Sequence, residues 1–150
     1  MPDIEASVHI ARTPQDVFDF LIDSENLPVW DASVIAADQV GDGPIGVGTR
    51  TKGASKIMGK RFDWVTEVTH FESPTGVTYT SVEGPMTFTV TSALEAESGG
   101  TRLTYRIHAE SGLGGVFGRM ADPLITKAQT RTVRANLDTL ADLLGEASVS

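Results

Sequence analysis

Between Asp122 and Leu144 the chain holds a single proline and no glycine. The proline is Pro123, at the start of the run, where a helix tolerates it best. Val133, Leu137, Leu140 and Leu144 recur at i, i+4, i+7 and i+11, the spacing of one helical face. The run predicts a helix of about 23 residues, roughly 35 Å long. A helix of that length with one apolar stripe has to lie across something equally extended, and most of the preceding chain reads as strands.

The first of these is "IEASVHIA", in which Ile4, Ala6, Val8 and Ile10 alternate with Glu5, Ser7 and His9. Period two indicates a half-buried strand. After Val34 come a loop, "GDGPIGVG", and then "TRTKGASKIM", "KRFDWVTEVTHFE", "GVTYTSVEG", "MTFTVTSALEAE" and "TRLTYRIHAE". Thr, Val, Phe and Tyr at alternate positions, with turn residues between the runs, predict an antiparallel meander. In the last run Leu103, Tyr105, Ile107 and Ala109 share the covered face, opposite Arg102, Thr104, Arg106 and His108. One face is wet and the other needs a cover, which the terminal helix can provide.

Between the first strand and the meander stands "TPQDVFDFLIDSENLPVWD". Thr13 suits an N-cap, Pro14 the first helical position and Asp16 the first turn. Val17, Phe18 and Leu21 share a face, Asn26 and Pro28 disfavour continuation, and "SENLPVW" fits a second short helical turn. The order is strand, two short helices, about six strands, one long helix. Strands grouped together rather than alternating with helices define an α+β fold with an antiparallel sheet. No internal repeat or linker interrupts residues 1–150, which read as a single domain.

The 20 acidic and 12 basic side chains leave a net charge of −8. Such a chain repels phosphate backbones and anionic bilayers, so nucleic acid is not expected as a partner. The absence of cysteine excludes disulfides, thiolate metal sites and a thiol nucleophile. No apolar run is long enough for membrane insertion, and "MPDIEASVHI" lacks the basic and apolar parts of a signal peptide. The expected compartment is the cytoplasm.

In the order of "TPQDVFDFLIDSENLPVWD", "VGTRTKG", "FDWVTEVTHFESP" and "GGTRLTYRIH", followed by a Gly-rich approach to a long helix, the chain resembles the START/Bet v 1-like (SRPBCC) superfamily. Within it the resemblance is to the bacterial polyketide cyclase/dehydrase and lipid-transport group. It spans essentially the whole chain. It implies a helix-grip: a curved antiparallel sheet of about seven strands wrapped around the C-terminal helix, with the two short helices forming a V at its end. It also implies a cavity between sheet and helix for a small hydrophobic or aromatic ligand. In this family the "NLPxW" pattern turns its Trp inward, which leaves Trp30 as a core plug or a pocket wall.

The residue pattern names candidates for that cavity. Trp64, Tyr79, Phe88 and Tyr105 fall on inward strand positions beside Met86, an adaptable aromatic and thioether surface. Val90, Leu103, Ile57 and Met58 join them as lining or as core. On the terminal helix the face carrying the Leu stripe changes toward its N-terminal half to Val133, Thr130 and Thr126, with Gln129 and Ile125 alongside. Polar groups there either form a cavity wall or project into solvent. "SGLGGVFGRMADP" combines four glycines with Leu113, Val116, Phe117 and Met120, as a flap over a pocket mouth or a loop on the helix would. Its glycine spacing does not fit a dinucleotide-binding loop.

No GxSxG, HExxH, P-loop or EF-hand pattern occurs. His9, His70 and His108 lie on different strands, so neither a metal nor another cofactor is expected. Three readings remain. The first is a binder or carrier of a small hydrophobic molecule, as a monomer or weak homodimer. The second is a cyclase- or dehydrase-like enzyme with His70, Tyr79 and Tyr105 as its acid–base set. The third is a protein-interaction module, which would show an apolar patch around Trp30.

Overall fold

The computed structural model describes residues 3–57, 59–85, 87–111 and 123–149. The chain opens with β1 (Asp3–Ile10), followed by α1 (Pro14–Ile22), a single 3-10 turn (Ser24–Asn26) and α2 (Leu27–Trp30). Six strands come next: β2 (Val34–Val40), β3 (Arg50–Ile57), β4 (Lys60–Glu72), β5 (Gly76–Glu83), β6 (Thr87–Glu97) and β7 (Gly100–Ser111). The last element is α3 (Pro123–Val149). The architecture is the expected α+β helix-grip, a curled antiparallel half-barrel closed around α3. Of the strands, β2 is the one the sequence pattern announces least, since Ala37 is its one buried side chain.

The spatial order β1-β7-β6-β5-β4-β3-β2 follows the chain at every step but one. Strand β1 pairs with β7, in the register Ile4↔Ile107, Ala6↔Tyr105 and Val8↔Leu103, and not with β2. The segment holding α1 and α2 therefore has to carry the chain from one edge of the sheet to the other. It crosses the open end of the half-barrel on the way.

Local chemistry makes that crossing compact. Thr13 Oγ1 accepts from the Asp16 backbone N–H at 3.2 Å, capping α1 as its sequence predicts. At the other end the Asn26 side chain donates to the Phe20 carbonyl at 3.2 Å, satisfying one of the helix's orphan acceptors. Leu27 and Trp30, three apart, turn inward while Val29 between them stays 56 % exposed.

Val133, Leu137, Leu140 and Leu144 are all buried, so the predicted stripe is the face that α3 lays on the sheet. The helix runs past the predicted end, through Gly145 to Val149. One glycine costs a helix only about 1 kcal/mol relative to alanine, too little to end a long one. The stripe also holds a buried Asn136.

Two packed clusters result. The larger gathers Ile4, Ile10, Val17, Phe18, Leu94, Leu103, Leu137 and Leu140 with their neighbours around α3, α1 and β1. The smaller gathers Ala37, Phe62, Trp64 and Ala109 toward the β2–β4 side. In β4 the register slips between Val68 and His70, so that Thr69 is the extra residue. Phe71 is thereby turned onto Phe18, ring centroids 5.4 Å apart, and His70 is turned to the outer face.

On that outer face the charges pair across strands. Arg50 reaches Glu67 at 3.2 Å, its partner in the β3–β4 register. Arg102 and His9 reach Glu97, and Arg106 and His108 reach Asp3, while Arg61 reaches Asp63 within β4. Among the described residues no three His, Asp or Glu side chains are grouped as a metal would require.

Candidate functional site: a cavity between two core clusters

Between the clusters lies a cavity of about 160 Å³. Its roof is the crossing segment, through Leu21, Ile22, Ser24, Leu27, Trp30 and Asp31. Its walls are inward residues of the sheet: Thr51, Ser55 and Ile57 of β3, Phe62, Trp64 and Thr66 of β4, and Val77 and Tyr79 of β5. Phe88, Val90 and Ser92 of β6 and Tyr105 and Ile107 of β7 complete them, with Ser33 and Val34 where β2 begins.

The space has a cause in the sequence. Thr51, Ser55, Thr66 and Ser92 are buried inward positions where a filled core would carry Leu, Ile or Phe. Small side chains on a concave sheet leave a gap that the buried stripe of α3 does not close, because Val133, Leu137, Leu140 and Leu144 pack in the larger cluster. Gly53 adds to this. A Cβ there would stand 2.5 Å from the Trp64 ring and 2.5 Å from the Ala36 carbonyl, so glycine lets the indole lie across β3. The ring is then fixed by its Nε1–H, which donates to Ser55 Oγ at 2.8 Å.

The roof carries the cavity's carboxylate. Asp31 follows the last residue of α2, and its Oδ1 accepts from the Ser33 N–H at 2.9 Å and the Ser33 hydroxyl at 2.7 Å, an Asx turn. Asn136 of α3 donates to the same oxygen at 3.1 Å and accepts from the Ala32 N–H at 3.2 Å. Burial pushes the Asp31 carboxyl above its ordinary value, with the bonds from Ser33 opposing. Tyr79 is pushed up to about 12 by burial. Tyr105 is raised well above the ordinary phenol, by burial first and then by the charges of Asp31 and Tyr79. Trp30 stands edge-on to Tyr105, centroids 5.5 Å apart at 84°, and its buried Nε1–H has no partner among the described residues.

Of the residues proposed from sequence, Trp30, Trp64, Tyr79, Phe88 and Tyr105 line this cavity. Trp30 is only 3 % exposed and touches both packed protein and the open space, so its two readings merge. His70 is not brought to the cavity: it is exposed on the opposite face, 3.7 Å from Glu72, because of the bulge at Thr69. The set His70, Tyr79 and Tyr105 therefore does not assemble. Val133 is buried in the larger cluster, and Gln129 and Thr130 are half-buried on α3 outside the described lining. Among the described residues the polar part of the lining lies on the sheet, at its Ser and Thr positions. Met58, Met86, Phe117 and Met120 lie outside the described residues, as do the side chains of Ile125 and Thr126.

Sequence reasoning missed Asp31 and Asn136. The signals were an Asp-x-Ser directly after Trp30, which suits an Asx turn, and an Asn inside a stripe of Val and Leu.

The family described as polyketide cyclase/dehydrase and lipid transport matches residues 1–145. The chain belongs to this family. Solved structures place this polyketide cyclase/dehydrase-type domain among close folds. TTHA0849 from Thermus thermophilus superposes with a TM-score of 0.80 at 25% identity, over 98% of this chain and 99% of that one. A START superfamily protein from Mycobacterium smegmatis gives 0.78 at 14% identity, over 97% and 98%. The ginseng major latex-like protein 151 from Panax ginseng gives 0.71 at 13%, over 95% and 96%. Among curated proteins no match is found. Family and fold suggest a domain that binds hydrophobic ligands, and no described helix is long and apolar enough to cross a membrane.

Proposed function

We propose that this protein binds or carries a small hydrophobic or aromatic molecule in the cavity beneath α2. The observation that supports this most is the cavity itself, about 160 Å³ bounded by six aromatic rings, aliphatic side chains and a few hydroxyls. The apolar lining of this space favours transfer of a small aromatic ligand from water. A reading as an interaction module has less support, because Trp30, the expected centre of its apolar patch, is buried. The ligand is met in the cytoplasm by a monomer or weak homodimer in this reading, without nucleic acid.

The test is a chemical-shift titration of the purified protein with naphthylmethanol, a neutral bicyclic probe. Shifts centred on Trp30, Trp64, Tyr79 and Tyr105, lost in a Val90→Phe variant that fills the cavity, are expected. A probe that leaves these signals unmoved would overturn the proposal. Native mass spectrometry of protein taken from its own host would then identify the retained mass.

A further inference from the structure

Asp31 is the one charged side chain in the described lining of the cavity, and nothing in that lining neutralises it. Its Oδ1 is saturated by three donors, two from Ser33 and one from Asn136. Its Oδ2 accepts no hydrogen bond among the described residues. Neither do the Tyr79 and Tyr105 hydroxyls bond to the protein there, so three oxygen acceptors remain unused in one apolar space.

The carboxylate is also held, not wandering. The Asx turn fixes the side chain to its own backbone, and Asn136 ties that turn to α3 from both of its amide atoms. A desolvated carboxylate without a counter-charge is unfavourable, and in a ligand site the missing charge is supplied by the ligand. The aromatic surroundings point the same way: Trp30, Trp64, Phe62, Phe88, Tyr79 and Tyr105 ring the space, and π faces attract cations. The net charge of −8 raises the local concentration of cations and lowers that of anions.

The geometry points to a ligand with an aromatic or apolar body and one protonated amine, whose ammonium pairs with Asp31 Oδ2 in the space that Tyr79 and Tyr105 also line. This rests on the cavity being the binding site, and it narrows the ligand from any hydrophobe to a lipophilic cation. Carboxylates such as fatty acids are disfavoured by the same charge. The groups around Asp31 on other elements are Asn136 of α3 and Ser33 just before β2, which bond to it, and Tyr105 of β7, whose phenol its charge raises; Tyr79 of β5 lines the same cavity. Asp31 is therefore the carboxyl of that group, the one that loses its charge when it is protonated.

The experiment compares naphthylmethylamine, naphthylmethanol and naphthoate by calorimetric titration of the full chain, so that the bicyclic body is kept and the charge of its substituent varies. The amine is expected to bind at least about tenfold more tightly than the alcohol, as a charge-assisted pair in a desolvated site does, with naphthoate weakest. Asp31→Asn keeps an acceptor for Ser33 and removes the charge; it should abolish the advantage of the amine over the alcohol. In the unmodified protein the amine's affinity should fall as Asp31 is protonated on acidification, and the alcohol's should not. That pH series holds even if the variant folds poorly. Binding of the alcohol as tight as that of the amine, or an amine affinity unchanged by Asp31→Asn or by acid, would overturn the inference while leaving the cavity as the site. Failure of all three probes to bind would overturn both.

Discussion

Asn136 and Asp31, 105 residues apart in sequence, are joined by a hydrogen bond of 3.1 Å from the Asn136 amide to Asp31 Oδ1. The same Asn side chain accepts from the Ala32 N–H, so one buried residue of α3 locks the roof of the cavity to the terminal helix. Asn136→Leu would leave the Ala32 N–H unpaired and Asp31 with one donor fewer. Each such loss costs about 1–3 kcal/mol. In a domain of this size a loss of that order lowers the melting temperature by roughly 2–10 °C, which thermal unfolding by circular dichroism measures. A melting temperature equal to that of the unmodified protein would show that the lock contributes nothing.

Gly53 carries a second constraint. Its Cβ position is occupied on both sides, by the Trp64 ring and the Ala36 carbonyl. Gly53→Ala has to displace either a ring already bonded to Ser55 or the β2 backbone, and overpacking of this kind costs about 1–3 kcal/mol. Urea unfolding should show a lower midpoint with an unchanged slope, together with a shifted Trp64 fluorescence.

The legibility of this fold and of its site differed for a physical reason. Ile4, Ala6 and Ile10 of β1, and Val133, Leu137, Leu140 and Leu144 of α3, have burial that follows directly from period, and all are buried. The cavity-lining aromatics share that property, since an inward strand position points to core and cavity alike. What period could not reveal is a break in period. The bulge at Thr69 reverses His70 and Phe71, and nothing in "VTHFESP" fixes on which side of it the histidine falls. Asp31 and Asn136 meet only because the α1–α2 segment crosses the sheet to reach β2, a consequence of β1 pairing with β7.

The outer face gives a pH dependence of one sign. His108 and Arg106 hold the Asp3 carboxyl below its ordinary 3.8, and His9 and Arg102 hold Glu97 below its ordinary 4.5, in each case chiefly through the hydrogen bond from the histidine. A carboxyl lowered on folding stabilises the fold above its unfolded value, and that contribution is lost as pH falls through the lowered one. Asp3→Asn and Glu97→Gln should therefore flatten the acid limb of a melting-temperature profile below about pH 4, with effects near neutrality that stay small because these pairs are exposed. Identical acid limbs in the variants and the unmodified protein would remove the pairs as a cause.

The Asp31 carboxyl works in the opposite direction. Burial raises it above 3.8, so the folded chain takes up its proton more readily than the unfolded chain does. Stability from such a group is fully present below the unfolded value and is lost as pH rises through the raised folded one. In the ligand-free protein at neutral pH Asp31 is thus a net burden, and Asp31→Asn, which keeps an oxygen for the Ser33 and Asn136 donors, should raise the melting temperature. The gain should shrink on acidification and vanish below about pH 4, where Asp31 is neutral in both folded and unfolded chains. A variant less stable than the unmodified protein across the whole range would mean that the three hydrogen bonds to the charged oxygen outweigh its desolvation. A gain confined to neutral pH would mark Asp31 as a residue whose charge is carried against stability.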